Sequence, residues 1–152
     1  MASDCRTGLR LTLSGEPRTK KNSQRIVMTA KYKRILPSRA YMEYAEECAR
    51  QLLAQRATNA GIDYPVNVAC VYYMPTRRKV DLTNLNEAIH DILVQNYVLM
   101  DDNRDIIAFT DGSRVEYDKK NPRVEITITP VEGDYEQWAK RRDDQGGRPW
   151  QR

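Results

Sequence analysis

The apolar positions of this chain follow two periods, and the switches between them mark out most of its elements. Leu9, Leu11 and Leu13 alternate with Arg10, Thr12 and Ser14, and Gly15-Glu16-Pro17 stops the run, which predicts a half-buried strand. Arg25 to Ala30 and Tyr32 to Leu36 predict a hairpin turning at Ala30-Lys31 and closed by Pro37. From Ser38, placed to cap a helix, Tyr41, Tyr44, Ala45, Cys48, Ala49, Leu52 and Leu53 recur at helical spacing as far as Asn59-Ala60-Gly61. Val66, Val68, Cys70, Val71, Tyr72 and Tyr73 form an apolar, β-branched run ended by Met74-Pro75-Thr76, the pattern of a buried central strand.

A second helix is predicted from about Asn84 to Gln95, with Leu85, Ala88, Ile89, Ile92 and Leu93 on one face. Tyr97 to Met100 read as a short extended piece before the turn Asp101-Asp102-Asn103. Strands follow at about Ile106 to Thr110 and Arg123 to Thr129, with a further one at Arg114 to Tyr117 between them. Strands and helices alternate without a full βαβ series, so the predicted class is α+β, a mixed sheet packed with two main helices. One core is predicted over residues 1–132, and residues 133–152, charged and carrying Trp138, Gly146-Gly147 and Trp150, read as a tail.

Composition narrows the classes. A length of 152 residues with 40% hydrophobic and 30% charged residues fits a single globular domain with a strongly charged surface. No apolar run approaches the roughly 18 residues of a membrane span, and the N-terminus has no hydrophobic signal core. The expectation is a cytoplasmic protein with no membrane partner. Cys5, Cys48 and Cys70 lie far apart and are odd in number, which argues for reduced thiols rather than a disulfide framework or a zinc site.

Net charge +4 and a pI near 9.0 favour a polyanionic partner. The cations cluster: Arg18-Thr19-Lys20-Lys21, Lys31-Tyr32-Lys33-Arg34 and Arg77-Arg78-Lys79 each fall where a loop or turn is predicted. Arg18, Lys20, Lys21, Arg25, Arg77, Arg78 and Lys79 are therefore the candidate DNA contacts, with Arg114 and Arg123 as further candidate phosphate contacts, although a solvated surface explains any single group as well.

The acidic residues that could carry chemistry lie next to the last of these groups. On the second helix Glu87 and Asp91 are four residues apart and Asn84 is three before Glu87, so the three share a polar face beside the apolar stripe. Asp81 stands just before the helix, where capping the exposed N–H groups is its plain structural role. Phosphodiester cleavage with Mg²⁺ needs hard oxygen ligands that let the metal hold a phosphate oxygen and acidify a water. Asp81, Asp91 and the pair Asp101-Asp102 supply such ligands if the turn after the second helix folds back beside it. His90 is the only histidine, which excludes a two-histidine acid–base pair, and no P-loop or Gly-x-Ser-x-Gly elbow is present.

These residues in this order, with basic residues, Asp81-Leu82-Thr83-Asn84, Asp91-Ile92-Leu93, Asp101-Asp102 and a closing strand Arg123 to Ile128, resemble the RusA family of crossover-junction endodeoxyribonucleases, often encoded by phages or prophages. Gly15 to Ser23 and Pro37-Ser38 are similar too, and the likeness covers residues 9 to 130. It implies a homodimeric, Mg²⁺-dependent nuclease, with Mn²⁺ as an alternative ion, that cuts four-way DNA junctions in recombination and repair. The resemblance makes Asp81, Asp91 and Asp102 metal ligands and catalytic residues, with Asp101 as a further ligand candidate.

Two positions depart from the family pattern Asp-x-Asp-Asn-x-x-Lys: Thr83 replaces the second Asp and Glu87 the Lys. The site gains one negative charge on balance and loses a cation, which Lys20, Lys21 or Arg78 would have to replace from a neighbouring loop. Glu87, standing in the cation's place one turn before Asp91, becomes a candidate ligand itself. Two other readings stay open: a junction-binding accessory protein with impaired catalysis, and an interaction domain whose acidic turn is only a solvated loop.

Overall fold

The longest apolar run forms the middle of the sheet. In a computed structural model that describes residues 8–20, 25–28, 33–36, 38–131 and 140, the elements run β1 (Leu9–Ser14), β2 (Arg25–Met28), β3 (Lys33–Leu36), α1 (Arg39–Ala54), β4 (Val66–Met74), α2 (Leu82–Gln95), β5 (Ile107–Phe109), β6 (Arg114–Tyr117) and β7 (Arg123–Pro130). β7 lies between β1 and β4 and is antiparallel to both, with Val124 opposite both Leu13 and Tyr72. On the other edge of β4, β5 and β6 lie end to end and parallel to it, β5 beside Val66 and Asn67 and β6 beside Val71 to Met74. The result is one α+β domain with a mixed five-stranded sheet and two helices, as the alternation of periods predicts. The hairpin pairs β2 with β3, Arg25 opposite Leu36; its turn at Ala30-Lys31, Cys5, the tail tryptophans and most of the tail lie outside the described residues.

Burial along β4 corrects one expectation. Val66, Val68, Cys70, Tyr72 and Met74 are buried while the residues between them are half-buried, so the strand buries one face because the core lies against one side of the sheet. There Leu11, Leu13, Val124, Ile126 and Ile128 join Tyr41, Tyr44, Cys48 and Leu52 of α1 and Leu85, Ala88, Ile89, Ile92 and Leu93 of α2. Burial raises both described thiols, Cys48 to about 11 and Cys70 to about 12, and neither is in a disulfide.

Leu53 does not join the stripe; it is 67% exposed, a step of about 100° round the helix from the fully buried Leu52. α1 also stops earlier than its pattern suggests. Gln55 caps it, and Arg56 and Asn59 then take positive φ, which turns the chain away. The extended piece after α2 reduces to a parallel bridge between Leu99 and Ile62.

Two glutamines fix β1 against α1. Gln51 accepts from the Ser14 N–H at 2.7 Å and donates to the Ser14 carbonyl at 3.1 Å. Gln55 does the same for Thr12, at 3.0 and 2.8 Å. The match is geometric: four helical residues rise about 6 Å and two strand residues about 6.6 Å. The outer hydrogen-bonding groups of Thr12 and Ser14 are thus satisfied, and the loop that leaves β1 begins from a fixed point on α1.

Candidate functional site

That loop is itself anchored. The Gly15 N–H donates to the Pro122 carbonyl at 3.0 Å, and Pro17 and Thr19 are buried. Lys20 follows directly, and its ammonium reaches the Asp91 carboxylate, Nζ to Oδ2 2.5 Å, while lying 5.6 Å from the centroid of the Tyr41 ring. Both partners are half-buried, with side-chain exposures of 31% and 28%. Tyr41 is buried in the core, as its stripe predicts, yet its ring also walls this site. Burial first, and Asp91 next, push its phenol up to about 12.

Asp91 lies on the tenth residue of α2. The turn after the helix brings Asp101 and Asp102 back towards it, and the consequence is legible in Asp102: its carboxyl is raised above the ordinary value by desolvation, by its contact with Asp101 and by the charges of Asp101 and Asp91. The two adjacent aspartates differ in what they do. Asp101 accepts from the Asp102 N–H at 2.7 Å and from Asn103 Nδ2 at 3.1 Å, so its carboxylate shapes the turn. His90 joins the same group; burial depresses its imidazole, Asp102 and Asp91 pull it partly back, and Nε2 has no hydrogen-bond partner among the described residues. Sequence reasoning assigned His90 no role, and the only signal available was its place beside Asp91.

Asp81 takes the capping role. One carboxylate oxygen accepts from the Thr83 N–H at 2.9 Å and the Asn84 N–H at 3.3 Å, satisfying two of the helix's orphan donors. Ten residues of helix separate it from Asp91, roughly 15 Å along the axis. Glu87 is exposed on the first half of α2. Among the described residues, no three His, Cys, Asp or Glu side chains converge closely enough to hold a metal ion.

The candidate DNA contacts separate into groups. Arg78 and Lys79 are exposed, and Arg77 stacks on Tyr117, its guanidinium 4.4 Å from the ring centroid. Arg18 pairs with Glu16 at 3.1 Å near the start of the Lys20 loop. Lys21 and the side chain of Arg25 lie outside the described residues. Arg123, a candidate phosphate contact by sequence, is engaged internally with Asp118 and Glu125, both at 3.0 Å, and on the Tyr73 ring at 3.8 Å; Arg114 pairs with Glu116 at 2.8 Å.

The family model of the endodeoxyribonuclease RusA matches residues 14–129, about three quarters of the chain. The chain belongs to the RusA family. The RusA match runs from the end of β1 into β7 and so contains the Lys20 loop, both helices and the Asp101-Asp102 turn. Membership places the protein among endodeoxyribonucleases of the crossover-junction kind, whose substrate class is branched DNA. No curated protein matches the chain. No helix among the described residues is long and apolar enough to cross a membrane.

Proposed function

We propose that this RusA-family protein is a divalent-metal-dependent, structure-selective endonuclease that works as a homodimer on Holliday junctions, in the cytoplasm, with Mg²⁺ as its ion and Mn²⁺ as a substitute. The observation that carries the reading is the meeting of the acidic turn with α2, where the Asp102 carboxyl is raised by desolvation first and then by Asp101 and Asp91; carboxylates held near one another bind a hard cation favourably. Asp91 and Asp102 would hold the ion, with Asp101 behind them shaping the turn. When bound, the ion would supply Lewis acidity, binding a phosphate oxygen and acidifying a water.

Asp81 needs separate treatment. Carboxylates that share one ion lie within about 4 Å of each other, since each oxygen sits about 2.1 Å from it, and α2 holds Asp81 and Asp91 far beyond that. An ion that took both would draw them from different chains, and a two-fold homodimer supplies this; it also matches the near two-fold symmetry of a four-way junction. Arg77, Arg78 and Lys79, on the loop just before Asp81, would bind backbone phosphates of the junction.

The second reading, junction binding without cleavage, rests on Thr83 and Glu87, which stand where the family pattern has a carboxylate and a cation. One experiment separates the two: four-way, forked and linear DNA incubated with the protein in Mg²⁺, Mn²⁺ or EDTA. The proposal expects paired cuts in the four-way junction with either metal and none in EDTA. Tight junction binding with no cutting in any metal would establish the second reading instead.

A further inference from the structure

Lys20 is better placed than a surface lysine needs to be. It comes from a loop that Gly15, Pro17 and Thr19 pin to the body, its ammonium rests on one oxygen of Asp91, and the Tyr41 ring lies beneath it. The charge of Asp91 is also felt by His90, next to it on α2, and by Asp102, whose N–H donates to Asp101 Oδ1 at 2.7 Å. Lys20 is thus a monovalent cation seated on a carboxylate at the edge of an acidic cluster. It sits on a flexible four-carbon stem, so the ammonium can leave without moving the loop.

We propose that Lys20 is a positioning cation with two resting places: it holds Asp91 while the site is empty of metal, and it moves to a DNA phosphate when a divalent ion takes that carboxylate. The inference rests on the metal-dependent reading above and adds a coupling to it. Without metal the cluster of Asp91, Asp101 and Asp102 carries a net negative charge even with Lys20 in place, and it repels a phosphate. With a divalent ion bound, most of the carboxylate charge is offset and the ammonium is released to the phosphate side, where the Tyr41 ring, through cation–π attraction, keeps it close to the site. Metal and DNA binding then favour each other, and by linkage the effect is reciprocal. The arrangement also returns a cation to the site although residue 87 is a glutamate.

The test uses the full-length protein with Lys20→Met and Lys20→Arg, each checked for an unchanged Tm. Mn²⁺ affinity is measured by titration without DNA. Removing the competing ammonium should tighten Mn²⁺ by about two- to fivefold, the worth of a half-exposed ion pair, whereas Lys20→Arg, which can grip Asp91 with two N–H groups, should weaken it. Junction affinity is then measured against salt in EDTA and in Ca²⁺. In Ca²⁺ the log–log salt slope of Lys20→Met should be shallower than that of wild type by about 0.9, one phosphate contact, and in EDTA the two slopes should agree. Arg78→Met, which alters an exposed cation away from Asp91, should lower the slope in both conditions.

An unchanged or weaker Mn²⁺ affinity in Lys20→Met would overturn the proposal, as would a slope change of the same size in EDTA and Ca²⁺, which would make Lys20 an ordinary phosphate contact. Both measurements are made without cleavage. A protein that cuts no DNA would therefore remove the nuclease reading alone, and the Mn²⁺ and salt results would still decide the role of Lys20.

Discussion

Tyr72, fully buried on the central strand, donates its hydroxyl hydrogen to Asn86 Oδ1 at 2.7 Å and so ties β4 to α2. The bond holds Asn86, five residues before Asp91 on the same helix, against the sheet. Tyr72→Phe leaves the amide oxygen without its donor, a loss of about 1–3 kcal/mol, and the Tm should fall by several degrees in calorimetry. Asn86→Ala should cost a similar amount, and the double variant less than the sum of the two. Strict additivity would show that the bond contributes nothing.

The acidic residues should divide by what each carboxylate is already doing. Asp91→Asn and Asp102→Asn should each lower cleavage by at least about a hundredfold while junction binding persists, because the basic loops are untouched. Asp81→Asn is the informative control for folding: asparagine caps a helix about as well as aspartate, so a loss of cutting with unchanged Tm would report the lost charge alone. Asp101→Asn should be mild, since its oxygens serve the turn. Wild-type rates in both Asp91→Asn and Asp102→Asn would remove the metal assignment.

Acid stability should depend on Asp118. Hydrogen bonds from Arg123, first, and then from the Asn121 and Lys120 N–H groups hold its carboxyl below the ordinary value of 3.8. A depressed folded-state pKa means that the unfolded chain takes up the proton first as pH falls. The stabilisation is complete well above pH 3.8 and is lost as pH drops through the folded value. Asp118→Asn should lower the Tm at neutral pH, and the gap from wild type should close in strong acid; a gap independent of pH would assign the effect to packing.

Charge reversal at Arg77 and Arg78 should weaken binding to every DNA shape and lower the log–log salt slope by roughly 0.9 for each phosphate that is no longer neutralised. Arg77→Glu should show an added effect, because its guanidinium stacks on Tyr117 and its removal frees an aromatic face. Light scattering on the same samples should give a dimer. A monomer that still makes paired symmetric cuts would contradict the homodimer.

Much of the fold was legible in the sequence. The periods of 2 and 3.6 place both helices and the strands of the sheet, and Ser38 and Asp81 cap the helices their positions predict. What the pattern could not carry was tertiary. Leu53 falls at the border of its stripe, and only the packed sheet decides that the border is exposed. The Lys20–Asp91 pair joins residues 71 apart in sequence, and no local spacing encodes it; charge accounting at Glu87 asked for a cation from a loop without saying which one. Arg123 shows the opposite failure, since a basic residue beside a turn looks available until Asp118, Glu125 and Tyr73 are seen to enclose it.

The amides of Gln51 and Gln55 close part of one border of the sheet. A strand presented to β1 from another molecule finds the carbonyl and N–H groups of Thr12 and Ser14 already occupied, so pairing along that half of the strand is blocked. A sheet edge without a run of free backbone groups is a poor template for another strand. A protein with a basic surface that concentrates along DNA is thereby less open to polymerising through β1 where its copies are most crowded.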